Sequence, residues 1–237
     1  MRWVIAGLCS LSFTYFLSVV IPDLNKFWKR RTIPPPVPCG KLADKVYVFP
    51  RPYVFLSPEY EGKSIWEQGY AENKRGCDAN FWVISLKLEW PSLSPARDLW
   101  AGASRPAGHM GVTVEQIARD QVHGNGLSFQ HLIDGTVVES VRDGTYDQAS
   151  DLHALPKIQL PLRNEVLDIY WHETGAITDT LISCTYYPDG RPFDCSQAWF
   201  VENGRVLIRV NYTHDYLPEW NKVRQMISKK IASFKKE

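Results

Sequence analysis

The sequence predicts an α+β fold, a mostly antiparallel sheet with a C-terminal amphipathic helix packed on it, preceded by one N-terminal transmembrane helix. Three observations carry this. Short segments with period-two alternation crowd the second half of the chain. An apolar stripe at helical spacing follows them. An uncharged apolar run lies at the start.

That run, Trp3 to Ile21, is 19 residues long, close to the roughly 20 needed to cross the hydrocarbon core as a helix. A cleaved signal peptide is the rival reading, since Ser10, Ser12, Thr14 and Ser18 temper the hydrophobicity. The basic leader is a single Arg2, and no small-residue cleavage site precedes Pro22, so an uncleaved anchor over 1–21 is favoured. Residues 22–38 read as a linker, basic and then stiffened by Pro34-Pro35-Pro36-Val37-Pro38. Residues 39–237 form the remaining single α+β domain.

Within that domain the elements follow in order. Residues 46–56 are aromatic and β-branched but interrupted by Pro50 and Pro52, which predicts two short edge strands or one bulged strand. Residues 81–90 alternate, with Ile84, Leu86 and Leu88 on one face and Ser85, Lys87 and Glu89 on the other. Pro91, Pro95 and Pro106 mark a loop. Thr113 and Gln116 have capping-box spacing, which predicts a helix running to about His123 and stopped by Gly124-Asn125-Gly126. The Asp134-Gly135 and Asp143-Gly144 turns suggest a hairpin within 127–150. Four strands are expected at 166–172, 179–187, 195–201 and 205–212, and Asn203-Gly204 is the strongest hairpin signal in the chain. Leu217, Trp220, Val223, Ile227, Ile231 and Phe234 then form the helical stripe, with Asp215 able to cap and Pro218 suited to the first turn.

Composition narrows the function. Of 237 residues, 44% are hydrophobic and 22% charged, as in an ordinary globular protein. Residues 1–40 hold five basic groups against one acidic, leaving 22 basic and 25 acidic in the rest, a net charge of −3. A mildly acidic domain with no basic stripe is a poor partner for nucleic acid.

Orientation is contested between two signals. Lys26, Lys29, Arg30 and Arg31 outweigh Arg2 and by themselves would keep the domain cytoplasmic. Four cysteines lie outside the span: Cys39, Cys77, Cys184 and Cys195. Cys184 and Cys195 straddle the turn Tyr187-Pro-Asp-Gly-Arg-Pro192 and would face each other in a hairpin, leaving Cys39 to pair with Cys77. Disulfides persist in oxidising compartments. The cysteines decide the expectation of an inner-membrane, single-pass protein whose domain faces the periplasm.

The six histidines, His109, His123, His131, His153, His172 and His214, form no metal motif. Trp171-His172-Glu173 is only a fragment of the zinc helix, and the carboxylate pairs Asp143/Asp147 and Asp179/Asp189 have no distinguishing context. No catalytic residue, metal ligand or cofactor is singled out. Partner-binding residues are expected in a loop within 91–110 or 142–156, with Trp100 and Tyr146 as the candidate anchors.

Ile182-Ser-Cys184-Thr-Tyr-Tyr, then Cys195, then Arg209-Val-Asn-Tyr-Thr-His-Asp-Tyr-Leu-Pro-Glu-Trp220 and the helix ending at Phe234 resemble a group of bacterial proteins encoded beside type VI secretion effectors and taken to be their immunity proteins. The resemblance implies a membrane-anchored or exported α+β domain in the periplasm that blocks a toxin. The function then expected is non-enzymatic occlusion of a cognate toxin, of a lipase-type or wall-degrading kind. The partners would be that toxin and, through the N-terminal helix, the membrane. An accessory subunit of an envelope secretion or pilus assembly is the alternative, and an envelope hydrolase with an unrecognised triad the third.

A topology reporter fused after Glu237 tests the orientation. Activity of a reporter that works only in the periplasm, with silence of a cytoplasmic one, is the expected outcome. The reverse would mean that the four basic residues after the span set the orientation.

Overall fold

Alternating apolar side chains build most of the fold. The structure, a computed structural model, describes residues 36–97, 108–117, 145–160, 165–175, 177–187 and 189–236. The expected anchor and most of the linker lie outside these residues. Among the described residues, no helix is long and apolar enough to cross a membrane.

A small hairpin comes first, β1 (Cys39–Leu42) with β2 (Lys45–Val48). Val46–Val48 thus pair as expected, but Arg51–Tyr53 make a 3-10 turn led by Pro50, and Val54 forms only a bridge to Leu86. The main sheet contains β3 (Glu59–Tyr60), β4 (Phe81–Glu89), β5 (Ser94–Pro95), β6 (His109–Gln116), β7 (Thr145–Asp147), β8 (Leu152–Leu160), β9 (Glu165–Thr174), β10 (Ile177–Tyr186), β11 (Pro192–Val201) and β12 (Val206–Thr213). Its order is β3-β4-β6-β12-β11-β10-β9-β8-β7, with β5 beside β4. Every ladder between these strands is antiparallel. The four expected strands of the second half are β9 to β12.

Two readings are corrected. Thr113–Gln116 is not a helix start but the end of β6, which pairs with β4 on one side and β12 on the other. Met110, Val112 and Val114 are buried in alternation there, and two-sided pairing of β-branched residues overrides a local capping signal. Residues 142–156 are not an irregular loop where the chain is described: β7 and β8 form a hairpin with Tyr146 opposite His153. The hairpin expected within 127–150 falls mostly outside the described residues.

Register divides the sheet into two faces. Leu86, Val112, Val210, Gln197, Ile182 and Tyr170 lie in one cross-strand row from β4 to β9. Their face carries helix α1 (Trp220–Ala232), whose Trp220, Val223, Ile227 and Ile231 are buried in one cluster with it. Fully burying side chains of this size contributes about 1.5–3 kcal/mol each. Tyr212 and Gln197 are matched inside: Tyr212 Oη donates to Gln197 Oε1 at 2.9 Å, and Gln197 Nε2 to the Trp220 carbonyl at 3.0 Å. Trp199 Nε1 donates to Ser228 Oγ at 2.9 Å. Asp215 does not cap α1. A 3-10 segment, His214–Glu219, holds both Asp215 and Pro218, and α1 begins after it without a side-chain cap.

The chain end returns to the first hairpin. Val48 N–H donates to the Phe234 carbonyl and Lys236 N–H to the Val46 carbonyl, both at 2.9 Å.

Cys184 and Cys195 are direct cross-strand neighbours and are bonded, as are Cys39 and Cys77. Peptide mapping without reductant should recover these two crosslinks, and a 39–195 link would overturn the pairing. Replacing Cys184 and Cys195 together with serine should cost about 2–4 kcal/mol in denaturant unfolding.

Candidate partner-binding site

The sheet places two groups of functional side chains at its β7–β10 end, one on each face. On the face away from α1, the register sets Tyr146 opposite His153, His153 opposite Trp171, and Trp171 opposite Leu181. The His153 ring stacks on Trp171 with centroids 5.1 Å apart, and Tyr146 tilts against His153 at 5.0 Å. Exposure rises along this row, from 4% at Trp171 to 54% at Tyr146. Carboxylates fix it: Trp171 Nε1 donates to Glu173 Oε1 at 3.0 Å and Tyr146 Oη to Asp151 Oδ1 at 2.7 Å. The hydrogen bond to Asp151 holds the Tyr146 phenol above its usual pKa. An amphipathic ring presented rigidly at a sheet edge is a contact surface of the kind that hot spots use.

On the α1 face, His172 ends the cross-strand row that runs through Val114, Ile208, Trp199 and Thr180. Its Nδ1 lies 2.7 Å from Asp179 Oδ1, and its Nε2 is 3.4 Å from Asp151 Oδ2. Asp179 reaches it through a bulge. The β9–β10 register shifts between Thr178 and Thr180, so Asp179 is an extra residue on β10 whose side chain is turned out of strict alternation. Thr174 Oγ1 donates to Asp179 Oδ2 at 2.7 Å, and Arg224 of α1 stands 3.1 Å from the same oxygen. Burial raises the Asp179 carboxyl, but the bonds from His172 and Thr174 and the Arg224 charge outweigh it and hold it below the usual value. The Trp220 indole lies 5.1 Å from the His172 ring and donates Nε1 to the Ser150 carbonyl at 2.9 Å.

This cluster binds helix to sheet. A catalytic histidine needs one nitrogen oriented by a carboxylate and the other facing a nucleophile. Both nitrogens of His172 face carboxylates instead.

A second knot stands beside the Cys184–Cys195 bridge. Tyr186 and Tyr170 both donate to Asp168 Oδ2, at 2.6 and 3.2 Å, and Tyr186 Oη is 3.4 Å from His214 Nε2. Burial and the Asp168 carboxylate raise both phenols. Among the described residues, no group of three or more His, Cys, Asp or Glu side chains has a metal-holding arrangement.

Of the two expected anchors, Tyr146 is at the exposed edge, and Trp100 lies outside the described residues. His153, Trp171, His172 and Asp179 were missed as a group. The only sequence signal that could have joined them is alternation across 152–174, which sets His153 and Trp171 on one face, His172 on the other. The bulge at Asp179 leaves no mark in the sequence.

Asp179→Asn should lower stability at neutral pH by about 1–3 kcal/mol, the loss of a hydrogen bond to a charged group. The folded-state pKa is depressed, so the carboxylate's contribution is present above the unfolded value of about 3.9 and lost as pH falls through the folded one. Denaturant melts of the two proteins should therefore converge below pH 3.9. A gap that persists at low pH would assign the loss to something other than the charge.

No protein-family model matches the sequence, and no curated protein aligns with it. In fold, the chain is similar to an immunity protein of the Stenotrophomonas maltophilia type IV secretion system. The identity is 14%, 85% of this chain and 94% of that one are covered, and the TM-score is 0.50. It also aligns with the iron-regulated outer membrane lipoprotein FrpD of Neisseria meningitidis at 9% identity, covering 84% and 92% of the two chains, with a TM-score of 0.44. That second likeness is too loose to argue from. The first is a likeness of fold alone.

Proposed function

We propose that this protein is a non-enzymatic immunity protein that binds a cognate secreted antibacterial toxin and occludes it. The observation that carries the reading is the contrast within one site. The ionisable groups are locked to one another, with His172 held between Asp179 and Asp151, while the aromatic Tyr146 edge is left exposed. Such a site can make contacts, and neither nitrogen of His172 is left facing outward to move a proton. The likeness in fold to a secretion-system immunity protein, and the independent resemblance of residues 182–234 to immunity proteins of type VI effectors, both point the same way.

The finer features belong to the same proposal. The protein is held in the inner membrane by residues 3–21 with its domain in the periplasm, where disulfides are kept. A lipase-type or wall-degrading effector, met beside the membrane, is the toxin that this placement suits. Tethering raises the effective concentration of the domain near the bilayer.

The test is protection of cells against the protein encoded by the adjacent gene. Changing each histidine to Ala, in variants shown by thermal melting to fold, should leave protection within about three-fold, since binding energy lies in a few aromatic or charged anchors. Tyr146→Ala should weaken binding by about ten-fold or more, a loss above 1.4 kcal/mol. A folded histidine variant that still binds the toxin and loses all protection would overturn the reading in favour of catalysis.

A further inference from the structure

One residue ties the exposed Tyr146 ring to the helix side of the sheet. Asp151, the last residue of the β7–β8 turn, has a left-handed backbone at φ +57°, a conformation that Asp and Asn tolerate better than most side chains. Its carboxylate oxygens serve different partners. Oδ1 accepts from the Tyr146 hydroxyl at 2.7 Å, and Oδ2 stands 3.4 Å from His172 Nε2. The rest of the turn is fixed independently. Asp147 accepts from the Ala149 N–H at 3.1 Å and from Ser150 Oγ at 2.7 Å, and the Ser150 carbonyl accepts from Trp220 Nε1. A left-handed residue persists where its surroundings hold it, and the side chain of Asp151 is held by Tyr146 and His172.

Two carboxylates on one imidazole make that hold depend on a proton. An ionised carboxylate only accepts hydrogen bonds, whereas a neutral imidazole has one N–H and one bare nitrogen. His172 faces Asp179 Oδ1 with Nδ1 at 2.7 Å and Asp151 Oδ2 with Nε2. Both carboxylates are therefore matched only by a ring with two protons and a positive charge. A ring with one proton keeps it at the shorter contact. Thr174 and Arg224 hold Asp179 as an anion, with its carboxyl below the usual value. The Nδ1–H then points to Asp179, and Nε2 turns a lone pair on Asp151. Attraction at that contact becomes repulsion between two acceptors. The Asp151 side chain is 63% exposed, so it can turn to water.

The charged groups facing His172 are Asp179 of β10, Asp151 of the turn and, behind Asp179, Arg224 of α1. The Trp220 ring packs on it without charge. His153 lies on the other face, stacked between Tyr146 and Trp171, with Nε2 3.8 Å from Glu173.

From this geometry, and resting on the reading of Tyr146 as a contact for the toxin, we infer that His172 is a proton-dependent positioning residue. With two protons it holds Asp151, and through Asp151 the Tyr146 ring, in place for a protein partner. With one proton it releases both. The positive ring is the form that the carboxylates favour, so the tether is present at the acid end and lost as pH rises through the titration of His172. Binding should therefore weaken across about pH 5–8, the interval in which histidine changes charge. Exposed ion pairs contribute little, so the change is about three-fold, an adjustment of affinity and not an on–off switch.

The experiment follows the Tyr146 ring by NMR in the full chain, in detergent micelles, with isotope-labelled tyrosine. Its signals are assigned by their loss in Tyr146→Phe, and each variant's fold is checked by its melting curve. His153 touches the same ring, so the series is recorded both in the unmodified protein and in His153→Gln. The Tyr146 signals should move in a step that coincides with the titration of the His172 ring, and the step should remain in His153→Gln. Adding Asp151→Asn to His153→Gln should abolish it. That change removes the charge facing His172 while keeping an acceptor for the Tyr146 hydroxyl and a residue suited to the left-handed backbone. His172→Gln should act in the same way, and Asp151→Asn, at the surface, keeps the test open should His172→Gln fail to fold. A step that is absent from His153→Gln, or that survives Asp151→Asn, overturns the inference. Affinity for the protein encoded by the adjacent gene gives the second reading. It should fall about three-fold more between pH 6 and pH 8 for the unmodified protein than for Asp151→Asn. Equal falls in the two proteins overturn the inference and leave the immunity reading standing. No binding at either pH overturns the immunity reading, while the step in the Tyr146 signals still decides whether His172 holds the ring.

Discussion

Helix α1 is the constraint on which the rest of the fold depends. Its stripe covers the inner face of strands drawn from both halves of the described chain, from Ile84 and Leu86 to Ile182 and Cys184. It also makes the polar attachments that set its position. The Trp220 carbonyl accepts from Gln197, Ser228 accepts from Trp199, and Arg224 reaches Asp179. Apolar burial is without direction, so a helix held by it alone could slide. Three directional contacts along the helix remove that freedom and thereby fix the β9–β10 end, where His172 and Asp151 meet.

The same economy governs the candidate site. One bulged residue, Asp179, lets β10 supply a carboxylate to the helix side while its neighbours keep their alternation. The outcome is two faces with different tasks. Beneath the helix, ionisable groups satisfy one another. On the far face, a row of stacked rings leads outward to Tyr146. The aromatic row keeps its order because Glu173 and Asp151 hold its polar tips, and order is what makes an exposed ring useful in recognition.

Much of this was legible in the sequence wherever one rule acted alone. β9 to β12 alternate and are separated by turn residues, and Asn203-Gly204 permits the positive φ that the β11–β12 turn requires. The stripe from Trp220 to Ile231 is a helix on any reading, and Phe234 follows in the turn after it. Legibility failed where two rules competed. Thr113 and Gln116 have a cap's spacing, yet Val112 and Val114 are claimed by strands from distant parts of the chain. β8 was missed because Leu155-Pro156 interrupts its alternation, at the point where its register against β9 shifts. Trp66 passed unnoticed because nothing local distinguishes an exposed tryptophan from a buried one. It is 89% exposed on a loop held by Asn73 and Cys77, seven and eleven residues further along.

The return of the chain end to the first hairpin has a bearing on biogenesis. Val46 and Val48 in β2 are hydrogen-bonded to Lys236 and Phe234. The earliest described strands therefore acquire these partners only after the final helix has formed. Local hairpins such as β11–β12 can assemble as they emerge, since their contacts close short loops. The β1–β2 hairpin is equally local, but its pairing with residues 234–236 must wait for them. A chain lacking residues 234–236 therefore has a domain left open at that corner.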